Sequence, residues 1–259
     1  MFTVGNLVLG AIAALVVGLS KTAFPGAALV ATPIIATIVS GRLIPGTTLP
    51  ILLAADVFAV TWFSRHARWD LLRPMVVSVS IGFAAGAAFF AIAGSSTRPI
   101  DIVIGLSVLT MVVIQVWRMG RRSVAVRPTP AAAAVYGSTG GFTTFVANAA
   151  GPILNTYLLR LGLGKDELVG TSAWFYFAVN LAKVPVYMAL GAWTTGGPFF
   201  TKSTLAFDLA LFPVVVIGVF SGRSLLHKLP QRGFTIGVLV LSAAVVTYGT
   251  VLAVYYIIR

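Results

Sequence analysis

The sequence predicts an all-α integral membrane protein. It reads as two inverted repeats of about five helical segments each, with short broken or re-entrant helices meeting near the midplane. Three observations predict this. The 259 residues are 58% hydrophobic and 9% charged, with mean hydropathy +0.99, far less charge than a soluble surface carries. The apolar runs are continuous, as in Ile102 to Trp117, where a membrane β-strand would alternate apolar and polar residues. The two halves of the chain also resemble each other.

A spanning helix takes roughly 20 apolar residues, and ten apolar segments can be drawn: 3–20, 26–40, 46–64, 74–94, 100–117, 131–147, 150–161, 168–190, 203–222 and 233–257. The second and seventh are too short to cross comfortably at about 1.5 Å per residue. The first, "MFTVGNLVLG" onward, has no positive leader of the cleavable kind, and is expected to be retained. Between segments, the loops 64–73, 118–127 and 222–232 are rich in arginine and lysine, whereas 94–100 and 191–202 hold one basic residue each. Basic loops stay on the cytoplasmic side. That rule accounts for the net charge of +12 without nucleic acid, and it leaves both termini outside.

The stretch 118–130, basic and ending in Pro128 and Pro130, divides the chain into 1–117 and 131–259. Setting residue 18 on residue 137 without gaps aligns Gly18 with Gly137, Pro33 with Pro152, Ile34 with Ile153, Thr37 with Thr156, and Phe58–Val60 with Phe177–Val179. Further along, "IGFAAG" (81–86) pairs with "IGVFSG" (217–222), and "IGLSVLT" (104–110) with "IGVLVLS" (236–242). Five segments per copy is odd, so successive copies must face opposite ways, the arrangement found in many secondary transporters. Gly82, Gly86, Gly218 and Gly222 are expected to serve close helix packing.

The segments that interrupt this pattern carry the candidate chemistry. In "GLSKTAFPGAALVATP" (18–33), Lys21 lies between two apolar runs, flanked by the hydroxyls of Ser20 and Thr22. Pro25 and Gly26 can start a half-helix whose free amides attract an anion. Its counterpart, 137–152, ends at Asn148, Gly151 and Pro152. The Asn148 amide can donate to an anion or cap the next half-helix. Lys183 lies within an otherwise uncharged run, three residues after Asn180 and two before Pro185. A basic residue inside a span is a functional candidate. Asp56 is the one acid in the middle of a predicted span, a candidate coupling residue or partner for a buried lysine. Asp101 and Asp208 are expected to be solvated near helix ends. With no cysteine, disulfides and thiolate metal sites are excluded. The two histidines fall in basic loops, and no metal-ligand cluster, P-loop or dinucleotide fingerprint appears. Enzyme chemistry and a cofactor are therefore not expected.

The stretches "GLSKTAFPGAALVATPIIA" and "ANAAGPILNTYLLRLGLGKDELVGTSAWFYFAVNLAKVPVYMALG" resemble the TauE/SafE sulfite-exporter (TSUP) family. Asn148, Gly151, Pro152, Lys165, Gly170, Thr171, Asn180 and Lys183 stand at the motif positions. The first motif departs from the "GxGGG" of many members. The resemblance implies a multi-pass transporter of the bacterial cytoplasmic membrane carrying sulfite or organosulfonates such as sulfoacetate. Alternating access around a midplane anion site is the expected mechanism, with coupling to protons or sodium left open and a passive anion channel as the alternative. The partners expected are the anion and the bilayer, with a homodimer left open.

Overall fold

In the computed structural model, residues 1–23, 27–119, 129–228 and 230 are described. The tenth predicted segment, the second member of the third repeat block (236–242) and most of the basic linker lie outside the described residues. The described part is helical, without strands.

The order is α1 (Val4–Thr22), a 3-10 turn (Ala27–Val30) leading into α2 (Ala31–Ala36), α3 (Leu43–Phe63), the one-turn α4 (Trp69–Leu72), α5 (Val76–Ala93) and α6 (Thr97–Met119). The second half holds α7 (Pro130–Ala147), α8 (Gly151–Arg160), α9 (Lys165–Trp193) and α10 (Lys202–Lys228). Among the described residues, five stretches are long and apolar enough to cross a membrane: 4–22, 43–66, 69–93, 165–193 and 202–228. Local signals set several boundaries. Thr3 and Thr129 hydroxyls accept from the amides of Asn6 and Ala132 at 3.2 Å. Pro130 occupies the first turn of α7, where its missing N–H costs nothing. Asp166 and Glu167 open α9, at the end where the helix dipole favours acids.

Both predicted interruptions are present. Chain from Ala27 to Ala36, and α8, are ten residues each, about 15 Å of helix against a hydrocarbon core of about 30 Å. α7 is stopped by Asn148, in the left-handed conformation at φ 54°. Such a residue frees the next amides to turn back: those of Asn148 and Ala149 donate to the carbonyls of Thr144 and Thr143 at 3.0 and 3.2 Å.

The most extensive helix pairings are α1 with α10 and α5 with α7, followed by α3 with α9. Backbones meet because side chains are missing at the contacts. A Cβ on Gly18 would lie 2.5 Å from the Val215 carbonyl oxygen, and one on Gly82 would lie 1.9 Å from that of Ser138. The close-packing role read from sequence is thus observed.

The two ends of the bundle differ. At one, Arg68 bridges Asp70 at 2.8 Å and Glu167 at 3.4 Å, and Lys165 Nζ donates to the Leu226 carbonyl at 3.2 Å. Those acids hold the Arg68 guanidinium above its ordinary pKa, hydrogen bonding to Asp70 being the main cause. At the other, the Gly41 amide donates to Asp101 at 2.9 Å, and buried Arg42 donates to Thr194 at 2.6 Å and to the Phe90 carbonyl.

Candidate functional site

The interruptions and the central helices converge on one buried group of charges. Lys21 is in the last turn of α1, Asp56 is on α3, and Asn180 and Lys183 are on α9. All four are at least nine-tenths buried. Lys21 Nζ lies 2.7 Å from Asp56 Oδ1, and Asn180 Nδ2 donates to Asp56 Oδ2 at 2.6 Å. The ring of Tyr176 lies under the Lys21 ammonium, 4.3 Å from nitrogen to centroid, where the negative face of the ring adds attraction.

Lys183 has a different environment. Its three protons go to neutral oxygens at the end of α7: the Thr144 carbonyl at 2.9 Å, the Thr144 hydroxyl at 3.1 Å and Asn148 Oδ1 at 2.6 Å. No carboxylate among the described residues forms an ion pair with it, and its side chain is 0% exposed. With both lysines protonated and Asp56 ionised, this cluster carries one positive charge in excess, and Lys21, Asp56 and Lys183 lie within electrostatic reach of one another. Burying an unbalanced charge is expensive, so the arrangement favours an anion that supplies the missing sign.

The two interruptions also touch. Thr32 Oγ1, on α2, donates to the Ala147 carbonyl at the end of α7, 2.8 Å away. Asn148 Nδ2 donates to the Pro45 carbonyl at 3.2 Å. α8 begins at Ala150 and Gly151 without a side-chain cap.

Not every sequence candidate meets the cluster as expected. Ser20 Oγ accepts from the Ala28 amide at 2.8 Å, holding the 3-10 turn against α1. Thr22 turns away from the lysines, because its hydroxyl donates to the carbonyls of Gly18 and, on α10, Val219. Asn148 caps the end of α7 and not the start of α8, and both ends of its amide are already engaged. Pro25 and Gly26 lie outside the described residues. Gly151 sits buried at the first position of α8. Asp208, expected in solvent, is buried instead, because α10 continues outward to Lys202 and presses this face against its neighbours.

Tyr176, Ser172 and Thr144 are the residues that inspection of charge alone missed. Ser172, Tyr176, Asn180, Lys183 and Tyr187 are spaced four, four, three and four apart, one continuous face of α9, and every one of them is buried. That spacing was readable in the sequence. The hydroxyls of Ser172 and Tyr176 have no hydrogen-bond partner among the described residues.

A multi-pass helical membrane protein with an unbalanced buried cation, where broken helices meet, belongs to the transporter class. The chain is a member of the TauE/SafE family: the family described as Sulfite exporter TauE/SafE matches residues 10–249. It is a family of transporters, not of enzymes. Searches of curated proteins and of solved structures returned no match.

Proposed function

We propose that this protein moves sulfite or small organosulfonates such as sulfoacetate across the bacterial cytoplasmic membrane, by alternating access around the Lys21–Asp56–Asn180–Lys183 cluster. The observation that carries the proposal is Lys183: a fully buried ammonium bonded to neutral oxygens alone. An anion arriving there displaces Asn148 Oδ1, since it adds a charge–charge attraction to the ammonium that a neutral amide oxygen cannot supply. Asn148 then swings its amide away, and the uncapped start of α8 adds backbone donors. Asp56, held by Lys21 and Asn180, keeps Lys21 oriented and prevents the site from binding anions too tightly to release them. The two unpartnered hydroxyls of Ser172 and Tyr176 extend the path toward the arginine-rich end of the bundle, read as cytoplasmic from the excess of basic residues.

Two inverted copies supply the moving parts. The sequence repeat sets α1 on α7 and α5 on α10, so it exchanges the α1/α10 pairing with the α7/α5 pairing. The prominence of these two pairings supports the repeat reading, with 1–117 and 131–259 as the halves. In the described conformation the four side chains are buried. Two apolar recesses of about 560 and 540 Å³ include none of Lys21, Asp56, Asn180 and Lys183 in their walls.

The test is sulfite and sulfonate flux in proteoliposomes, with melting of the purified protein measured against the same anions, since a ligand of the folded state raises its stability. Saturable flux and an anion-dependent rise in melting temperature are expected of wild type, and loss of both in Lys183→Ala. A folded Lys183→Ala protein that transports at the wild-type rate overturns the assignment. Flux without saturation replaces the carrier by a passive channel.

A further inference from the structure

Asp208 is a buried acid that the anion site does not use. Its residue is 6% exposed, and neither carboxylate oxygen has a hydrogen-bond partner. It lies six residues beyond Lys202, the start of α10, about 9 Å along the helix from the end opposite the arginine-rich loops. α10 packs against α1 and α3, the helices that carry Lys21 and Asp56. The neighbours of Asp208 along the packed face are apolar. Phe207 and Leu211 bury their side chains against Gly10 of α1, and both belong to a core with Ala14, Ile51 and Ala55.

Among the described residues, charged groups that could balance it are missing from these surfaces. α1 contributes only Lys21, and α3 only Asp56, and these two are paired with each other. On α10 itself the charges are at the ends, in Lys202, Arg223, His227 and Lys228. The Met1 amino group is at the rim, where the Met1 sulfur receives the Ser203 hydroxyl. No charged group among the described residues acts appreciably on Asp208, and burial alone governs it.

We propose that Asp208 is a proton-binding site that controls closure of the α1/α3/α10 packing at this end of the molecule. An ionised carboxylate without donors is costly to bury, whereas the neutral acid is tolerated. The closed packing therefore holds the protonated form. When the packing opens, water reaches the carboxyl group and its proton passes to that water, leaving a hydrated carboxylate. Reclosure requires a proton to return. High pH on this side thus favours the open form. The proposal deepens the transport reading, since opening this end is one half of alternating access, but its test needs no transported anion.

The chain has no cysteine, so a single introduced thiol reports opening unambiguously. Leu211→Cys, one turn from Asp208 on the buried face, is made in the otherwise intact chain and again together with Asp208→Asn. Both are reconstituted in vesicles. Labelling by a membrane-impermeant thiol reagent is measured from the Lys202 end as the pH on that side is raised. Each rate is divided by that of a free thiol at the same pH. With Asp208 present, normalised labelling is expected to rise with pH; with Asp208→Asn it is expected to be flat. Asp208→Glu is expected to restore the rise. If Asp208→Asn does not fold, Asp208→Leu carries the same expectation. Equal pH dependence with and without the carboxyl group overturns the proposal, as does labelling that is flat in both. A protein that moves no sulfite yet shows the carboxyl-dependent rise would sink the transport reading and leave this one standing.

Discussion

Lys21 and Lys183 are both lysines buried beside a helix interruption, yet they are held in opposite ways. Lys21 faces a carboxylate at 2.7 Å and an aromatic ring, so its charge is spent within the protein. Lys183 faces two carbonyl-type oxygens and a hydroxyl, which solvate the charge without cancelling it. The contrast teaches that burial of a basic residue is not by itself the signature of an anion site. In the proposed site the distinguishing group is the lysine whose partners are all neutral, because only that one, when protonated, leaves a charge for a guest.

The comparison can be broken most sharply at Asp56. Asp56→Ala leaves Lys21 buried and unbalanced, and the expected loss is about 3–5 kcal/mol, read as a large fall in melting temperature in detergent. Adding Lys21→Met to Asp56→Ala should recover most of that loss, because an apolar replacement of both partners is often neutral. If the double variant melts as low as Asp56→Ala alone, the pair is not the unit described here. Lys183→Met strands only neutral groups, so the expected cost is smaller, about 1–3 kcal/mol, while the anion-dependent rise in melting temperature disappears. Retention of that rise would move the site away from α9.

Two smaller effects sharpen the account of the first interruption. Ser20→Ala removes the acceptor of the Ala28 amide and should cost about 0.5–2 kcal/mol, the range of a lost helix cap. Thr22→Val removes one α1–α10 hydrogen bond and should cost about 0.5–1.5 kcal/mol. Since Thr22 points at α10, sulfite flux per folded molecule should be unchanged. A Thr22→Val protein with normal stability and impaired flux would return that hydroxyl to the site.

Much of the architecture was legible because its causes are local or periodic. The limits of α1, α3, α5, α7 and α10 follow from apolar runs bounded by threonine caps, prolines and basic loops. The interruptions within 18–33 and 137–152 were marked by residues that a spanning helix disfavours. Lys21, Asp56, Asn180 and Lys183 stood out because each is polar in an apolar run. Partner choice was not legible: Asp56 could equally have served Lys183, and nothing local sends Thr22 toward Val219 or Ser20 toward Ala28. Asp208 was misplaced for a similar reason, since six residues from a helix start reads as surface until α1 and α3 are seen to cover it.

The sequence by itself determined that the chain is a helical membrane protein, where its helices stop, and which polar side chains the lipid-embedded part must accommodate. These follow from hydrophobicity and backbone hydrogen bonding, which act along the chain. Only the tertiary structure decided that Lys21 faces a carboxylate, that Lys183 faces neutral oxygens, and that Asp208 has no hydrogen-bond partner among the described residues. Electrostatic pairing falls off with distance in space and is blind to separation in sequence. Residues 35 to 124 positions apart, from Asn148–Lys183 to Asn180–Asp56, therefore acquire their roles only when the helices have packed.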